Sequence, residues 1–95
     1  MEFMYKDNYI YLNDKHQVIG YIYYQKINYH VIDVISTYVS EDYRGQGIAG
    51  KLFDELVQFA RKNQYQVIPT CQYIKKKIDH LEQFQDIYCK DEKLL

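Results

Sequence analysis

One short segment concentrates residue types able to bind a ligand through the backbone: Arg44-Gly45-Gln46-Gly47-Ile48-Ala49-Gly50. Its glycines remove side-chain bulk, so a ligand can approach the main chain closely. Successive amide N–H groups in such a turn, followed by the unpaired donors and positive dipole end of a helix, suit phosphate oxygens. Hydrogen bonds to a charged partner contribute roughly 1.5 to 3 kcal/mol each, so a few amides on a pyrophosphate would anchor a ligand. Arg44 is expected to add mobile positive charge at the rim. The same residues would also serve as a plain glycine-rich turn opening a helix.

Two phosphate-binding motifs do not fit. In GxxxxGK[ST] the lysine is followed by Ser or Thr for magnesium, whereas Gly50-Lys51 is followed by Leu52. Gly45, Gly47 and Gly50 spell GxGxxG literally, but the segment before them reads as an antiparallel meander rather than the first strand of a βαβ unit.

The elements that must position this turn are legible from periodicity. Asn8 to Leu12, Val18 to Tyr24 and Tyr29 to Val39 are rich in β-branched and aromatic residues and read as strands. Asn13-Asp14-Lys15 closes the first, and Gln25 to Asn28 separates the second from the third. In the third, strict alternation puts Val31, Asp33, Ile35, Thr37 and Val39 on one face and Ile32, Val34, Ser36 and Tyr38 on the other, a strand buried mostly on both sides. After the glycines the period changes. Ile48, Leu52, Leu56, Phe59 and Ala60 recur at helical spacing, which predicts a helix over 48–63 with Lys51, Asp54, Glu55, Gln58, Arg61 and Lys62 opposite. Gln66 to Thr70 reads as a short strand whose far end Pro69 removes from regular pairing. A second amphipathic helix is expected from Cys71 through Ile74, Ile78 and Leu81, then a helical turn at Phe84 to Ile87. The fold class is α+β, in one domain over residues 1–95.

Composition narrows the function classes. The chain has 95 residues, 12 Lys+Arg and 13 Asp+Glu, so its net charge of -1 directs it to neither nucleic acid nor an anionic membrane. Twelve tyrosines could act as stacking platforms for RNA, but excess positive charge and an RNP-like motif are both missing. No stretch approaches the ~20 apolar residues of a membrane-spanning helix. Met1 to Leu12 lacks the apolar run of a signal peptide, so a cytoplasmic location is expected. Cys71, Cys89, His16, His30 and His80 form no metal-binding spacing.

A third reading of the glycine segment fits its context. Arg44-x-x-Gly47-x-Ala49 resembles the Q/R-x-x-G-x-G/A motif of the GNAT acetyltransferase superfamily, which follows the fourth strand and opens the central helix. More narrowly, the chain is similar to short single-domain GNAT-like proteins of the N-acetyltransferase domain-containing type. Their order of motifs stands here as Thr37-Tyr38-Val39, Arg44 to Ala49, and Pro69-Thr70-Cys71, a resemblance extending from about Tyr9 to Tyr88. It implies a mostly antiparallel sheet with a central helix after strand four and a C-terminal helix pair. It also implies that the backbone of Gly45, Gln46, Gly47, Ile48 and Ala49 binds the pyrophosphate of acetyl-CoA. Thr37, Tyr38 and Val39 would splay from the next strand and pair their backbone with the pantetheine arm, with the thioester near Val39 and Cys71. Proteins of this type lack most of the early helices that build the acceptor side. The acceptor, a small-molecule or protein amine, and the oligomeric state stay open.

The implied reaction is attack of an amine on a thioester carbonyl. It calls for a base to deprotonate an ammonium of ordinary pKa near ~10.4, an N–H such as that of Val39 facing the oxyanion, and an acid for the leaving sulfur. Many GNAT enzymes carry a Glu base on strand four, where this chain has Ser36, Thr37 and Tyr38, and the strand's carboxylate is Asp33. Attention therefore moves to Cys71, as a nucleophile or a thiol near the acceptor, its thiolate favoured by the next helix's N-terminus or by Lys75; a small apolar filler is the alternative. Tyr73 is the candidate acid, although among twelve tyrosines packing is the far commoner role for any one of them. His80 is expected at the surface, His16 in a turn, His30 at a strand start, and Phe84 in the core. Lys75-Lys76-Lys77 reads as a solvated face that could reach an adenosine phosphate. Loss of the strand-four Glu also leaves open a non-catalytic acyl-CoA-binding or interaction module.

Overall fold

The structure is a computed structural model and describes residues 1–79 and 81–90. Five strands form one sheet in sequence order: β1 (Glu2–Lys6), β2 (Tyr9–Asp14), β3 (Gln17–Asn28), β4 (Val31–Val39) and β5 (Gln66–Pro69). The first four make the expected antiparallel meander, and β5 joins parallel to β4. Helix α1 (Ile48–Asn63) crosses between β4 and β5, as a parallel pair requires. Helix α2 (Gln72–Asp79) and a 3-10 segment (Glu82–Ile87) follow.

Strand β1 has no strand pattern in the sequence, because Glu2, Lys6, Asp7 and Asn8 hide it. It is an edge strand, and a charged edge resists pairing with another chain. Asp7 and Asn8 both take positive φ, so the turn joining β1 to β2 needs only those two residues. Lys15 and His16 do the same after β2, so the strand runs on to Asp14 instead of closing at Leu12. The polar stretch Gln25 to Asn28 belongs to β3: Gln25 pairs with Asp33, Lys26 with Ile32 and Asn28 with Val31. His30 lies in the turn rather than opening a strand, its N–H donating to the Asn28 side chain at 2.9 Å.

Cross-strand pairing decides which way β4 faces. Tyr24 opposes Val34 and Tyr23 opposes Ser36, leaving Ile35 as the extra residue of a β-bulge. Alternation restarts there. Thr37 and Val39, opposite Ile22 and Gly20, share the α1 face with Val34, while Ser36 and Tyr38 join Asp33 on the far face. Strict alternation places both groups on the wrong sides.

The core lies between the sheet and α1, where Ile10, Leu12, Ile22, Ile32 and Val34 meet Ile48, Leu52, Phe53, Leu56, Val57 and Ala60. Gly20 leaves no room for a side chain: an added Cβ would lie 2.8 Å from the Tyr38 carbonyl and 3.1 Å from the Leu52 side chain. Ile74 and Ile78 bury α2 in the same core. Leu81 is exposed, because α2 ends at Asp79. Phe84 packs edge-on against Phe53 at 4.9 Å, as expected of a core aromatic. The chain then returns beside β5, where the Cys89 N–H donates to the Val67 carbonyl. His80 lies outside the described residues.

Candidate active site

Pairing of β4 with β5 stops early. The last ladder partners are Val34 and Pro69, after which the Cys71 N–H donates to the Val34 carbonyl at 2.9 Å and the chain turns into α2. From Ile35 to Val39, β4 keeps β3 on one edge and has no β5 partner on the other. Pro69 contributes directly, since it has no N–H to carry the ladder further. The Ser40 N–H faces β3, donating to the Ile19 carbonyl at 2.7 Å. By the alternation of an extended strand, the Thr37 and Val39 N–H groups face the opened edge.

The glycine turn closes one end of this wedge. Gly45 and Gly47 take φ of +81° and +77°, where a side chain would be strained, and a Cβ at either would meet nothing within 4 Å. Gly47 is the N-cap of α1 and offers no side-chain cap, and the first turn holds no acidic residue. The first helical hydrogen bond runs from the Lys51 N–H to the Gly47 carbonyl, so the N–H groups of Ile48, Ala49 and Gly50 have no partner within the helix. A cleft of about 340 Å³ lies against these donors, lined by Val39, Arg44, Gly45, Gly47, Ile48, Ala49, Tyr73 and others. Open backbone, unspent donors and positive helix-dipole character together fit a pyrophosphate.

One detail departs from the sequence reading. Arg44 is tied down rather than free at the rim: its Nε donates to the Val39 carbonyl at 3.0 Å, occupying that acceptor on the open edge. The Gln46 side chain turns back to the Asp42 carbonyl at 3.3 Å and is absent from the cleft wall. Tyr38 turns its ring to the far face, stacking on Tyr21 at 5.1 Å, so only its backbone belongs to the wedge. Tyr43, which the sequence did not single out, also lines the cleft. Its hydroxyl donates to Asp14 at 3.1 Å, and that bond, ahead of desolvation, pushes its pKa up. Only the tertiary pairing of Tyr43 with a residue on β2 could have flagged it.

Cys71 and Thr37 meet on the α1 side of the wedge, Sγ to Oγ1 at 3.5 Å. Cys71 is half-buried and caps α2, its carbonyl accepting from the Lys75 N–H at 2.9 Å; Thr37, rather than the exposed Lys75 side chain, stands beside the thiol. Two residues on, Tyr73 reaches the cleft, with the Lys77 ammonium 5.7 Å from its ring centre and 6.0 Å from that of Phe53. Lys77 is thus the member of the basic run that reaches the cleft wall, its charge held over two aromatic faces. Asp33 accepts a hydrogen bond from the Thr70 hydroxyl, and its side chain lies on the opposite face from Thr37 and Cys71. Among the described residues no group of three or more His, Cys, Asp or Glu could hold a metal ion, and no helix is long and apolar enough to cross a membrane.

Comparison with known proteins agrees with this architecture. No curated protein matches the chain in sequence. The solution structure of a GCN5-like protein from Staphylococcus aureus superposes with a TM-score of 0.74 at 28% identity, over 96% of this chain and 90% of the other. A GNAT family acetyltransferase from Elizabethkingia anophelis, solved with acetyl-CoA bound, matches at 18% identity and a TM-score of 0.56, over 62% of this chain and 39% of that one. A ribosomal-protein-alanine N-acetyltransferase from Brucella melitensis gives 18% and 0.57, over 88% and 62%. The last two likenesses are of fold. The sequence pattern described as GCN5-related N-acetyltransferase matches residues 8–87, from the first turn to the end of the 3-10 segment. A parted β4/β5 pair, an uncapped glycine turn at the helix it faces, and a family pattern spanning both lead to one conclusion: this chain belongs to the GCN5-related N-acetyltransferase family.

Proposed function

We propose that this protein transfers an acetyl group from acetyl-CoA to an amine. The observation that carries the reading is the juxtaposition, across one cleft, of the unpaired edge of β4 with the open N-terminal turn of α1. Gly45, Gly47, Ile48 and Ala49 would hold the pyrophosphate through backbone N–H groups, with Gln46 contributing main chain alone. Thr37 and Val39 would pair with the pantetheine arm through the free edge, and Tyr38 would keep that edge extended. Arg44 braces the turn against β4 and leaves its remaining guanidinium donors for phosphate.

Acetyl-CoA supplies a thioester carbonyl to the amine. The nitrogen–carbon bond forms as the carbon–sulfur bond breaks, and the amine's proton departs to solvent. The Val39 N–H would face the charge developing on the carbonyl oxygen, and the Tyr73 hydroxyl would return a proton to the sulfur, to be reprotonated from solvent. Cys71, beside Thr37, would act at the acyl end of the wedge, as a transient acetyl acceptor or as the thiol that positions the reacting carbonyl. The free thiol of Cys71 suits a reducing compartment, which supports a cytoplasmic location.

A second reading, an acyl-CoA-binding module without turnover, is favoured by one observation: the carboxylate of β4, Asp33, is engaged by Thr70 and faces away from Cys71. Thermal unfolding with acetyl-CoA, followed by an assay for released CoA thiol in the presence of amines, tests both. Ligand at 100 times its dissociation constant should add ~2.7 kcal/mol of stability. Stabilisation with CoA release supports the enzyme; stabilisation with no release under any amine supports the module. No stabilisation at millimolar acetyl-CoA overturns both.

A further inference from the structure

The sheet face turned away from α1 carries five packed tyrosines. Tyr9 and Tyr11 on β2, Tyr21 and Tyr23 on β3 and Tyr38 on β4 share this face, because Tyr9 opposes Tyr23, Tyr11 opposes Tyr21, and Tyr21 opposes Tyr38. Their rings touch in sequence: Tyr9 lies 5.0 Å from Tyr11, 5.2 Å from Tyr21 and 4.9 Å from Tyr23, and Tyr21 lies 5.1 Å from Tyr38. Both helices pack on the other side, shown by Tyr5 stacking on Phe59 of α1, by Tyr24 packing against the same ring at a tilt, and by Lys77 of α2 lying over Phe53. The turns joining β1 to β4 are too short to cover the face. Among the described residues the plate therefore faces outward.

This plate adjoins the wedge. Tyr38 and Ser36 flank the opened edge of β4 on the plate side, and Asp33, paired with Ile68 one step before the last β4/β5 pair, lies on the same face. The α1 side of the wedge is occupied by Thr37, Cys71 and α2. An amine can therefore reach a carbonyl held in the wedge from the tyrosine side.

We propose that the tyrosine face is the acceptor-docking surface, and that its occupant is a protein segment presenting a lysine side chain. The inference rests on the acetyl-transfer reading above. The surface chemistry selects a cation: tyrosine ring faces attract ammonium groups, and Asp33 offers a carboxylate at the gap. Its shape selects a protein, since small-molecule sites are concave whereas this sheet face is open, and tyrosine is enriched where proteins meet. The rings are already stacked on one another, so little side-chain entropy is lost when a partner settles on them. A basic side chain, Lys6, stands across from Tyr9 at the far edge, away from the gap.

The test uses the full chain, an unstructured peptide of alternating alanine and lysine, and free spermidine as the small-amine control. Tyr11→Lys and Tyr11→Glu place opposite charges at one half-exposed position remote from the wedge, and melting curves confirm that both fold. Tyr11→Lys should raise the peptide KM at least about fivefold and Tyr11→Glu should not, with the acetyl-CoA-induced melting shift equal in both. Asp33→Asn should raise the peptide KM as well. The peptide should be a better acceptor than spermidine. Equal KM for the two Tyr11 variants, or preference for spermidine, overturns the docking surface and leaves the acetyl-transfer reading standing. Loss of acetyl-CoA binding in the unaltered protein overturns both. A dimer in sedimentation that either Tyr11 variant dissociates would assign the plate to self-association and overturn the proposal.

Discussion

Replacing Gly47 by alanine adds one methyl group at a φ of +77°, in a space where a Cβ meets no atom within 4 Å. Two effects separate cleanly. Without ligand the cost is backbone strain alone, about 1–2 kcal/mol for an L-residue held in the left-handed region, because nothing is displaced. For a domain of this size that lowers the melting temperature by about 4–15 °C. With ligand, the methyl projects from a turn that lines the cleft, where a pyrophosphate would approach. Loss of one charge-assisted hydrogen bond of about 2.7 kcal/mol weakens binding about 100-fold. At an acetyl-CoA concentration that stabilises the unaltered protein by ~2.7 kcal/mol, the variant would then gain only ~0.4 kcal/mol. Gly47→Asn divides the terms further, because asparagine tolerates positive φ and pays less strain while still filling the space. The assay is thermal unfolding followed by circular dichroism, with and without acetyl-CoA. A Gly47→Ala protein that keeps the full ligand shift refutes the assignment of these amides, and an unliganded loss above about 3 kcal/mol refutes the claim that the space is open.

Gly20→Ala should destabilise by about 1–3 kcal/mol, since its Cβ would press on the Tyr38 backbone as well as on Leu52, and a loss under about 0.5 kcal/mol in chemical denaturation would contradict that packing. Cys71→Ala and Cys71→Ser should each reduce acetyl transfer by about 100-fold or more while preserving the acetyl-CoA melting shift; unchanged turnover removes the thiol from the mechanism. Asp86 joins Arg61 at 3.0 Å, and that hydrogen bond, the larger cause, holds the Asp86 carboxyl below its ordinary range. Its folded pKa is depressed, so the pair's contribution is present above the unfolded carboxylate pKa and disappears as pH falls through the folded one. Both groups are largely exposed, so Asp86→Asn should cost no more than about 1 kcal/mol at pH 7 and still less at pH 2, read from paired denaturation curves.

Local pattern carried much of this protein. The helical spacing from Ile48 to Ala60 marked α1 to the residue, because an amphipathic helix writes its buried face into every turn. The glycine segment was visible as a backbone site, because only glycine holds positive φ at both Gly45 and Gly47 without strain. Motif order around it, from Thr37-Tyr38-Val39 to Pro69-Thr70-Cys71, pointed to the family. What stayed hidden depends on partners distant in the chain. The bulge at Ile35 exists only in register with β3, and it alone moves Thr37 and Val39 to the face where Cys71 waits. The tyrosines were legible as a number and not as a plate, since strand pairing is what stacks Tyr9, Tyr21 and Tyr38. Edge strand β1 escaped for the same reason: half-exposed polar residues become a strand only when a neighbour supplies the hydrogen bonds. Periodicity within one segment thus determined α1, most of the strands and the glycine turn before the helix, whereas tertiary pairing decided which side chains share a face and where the sheet opens.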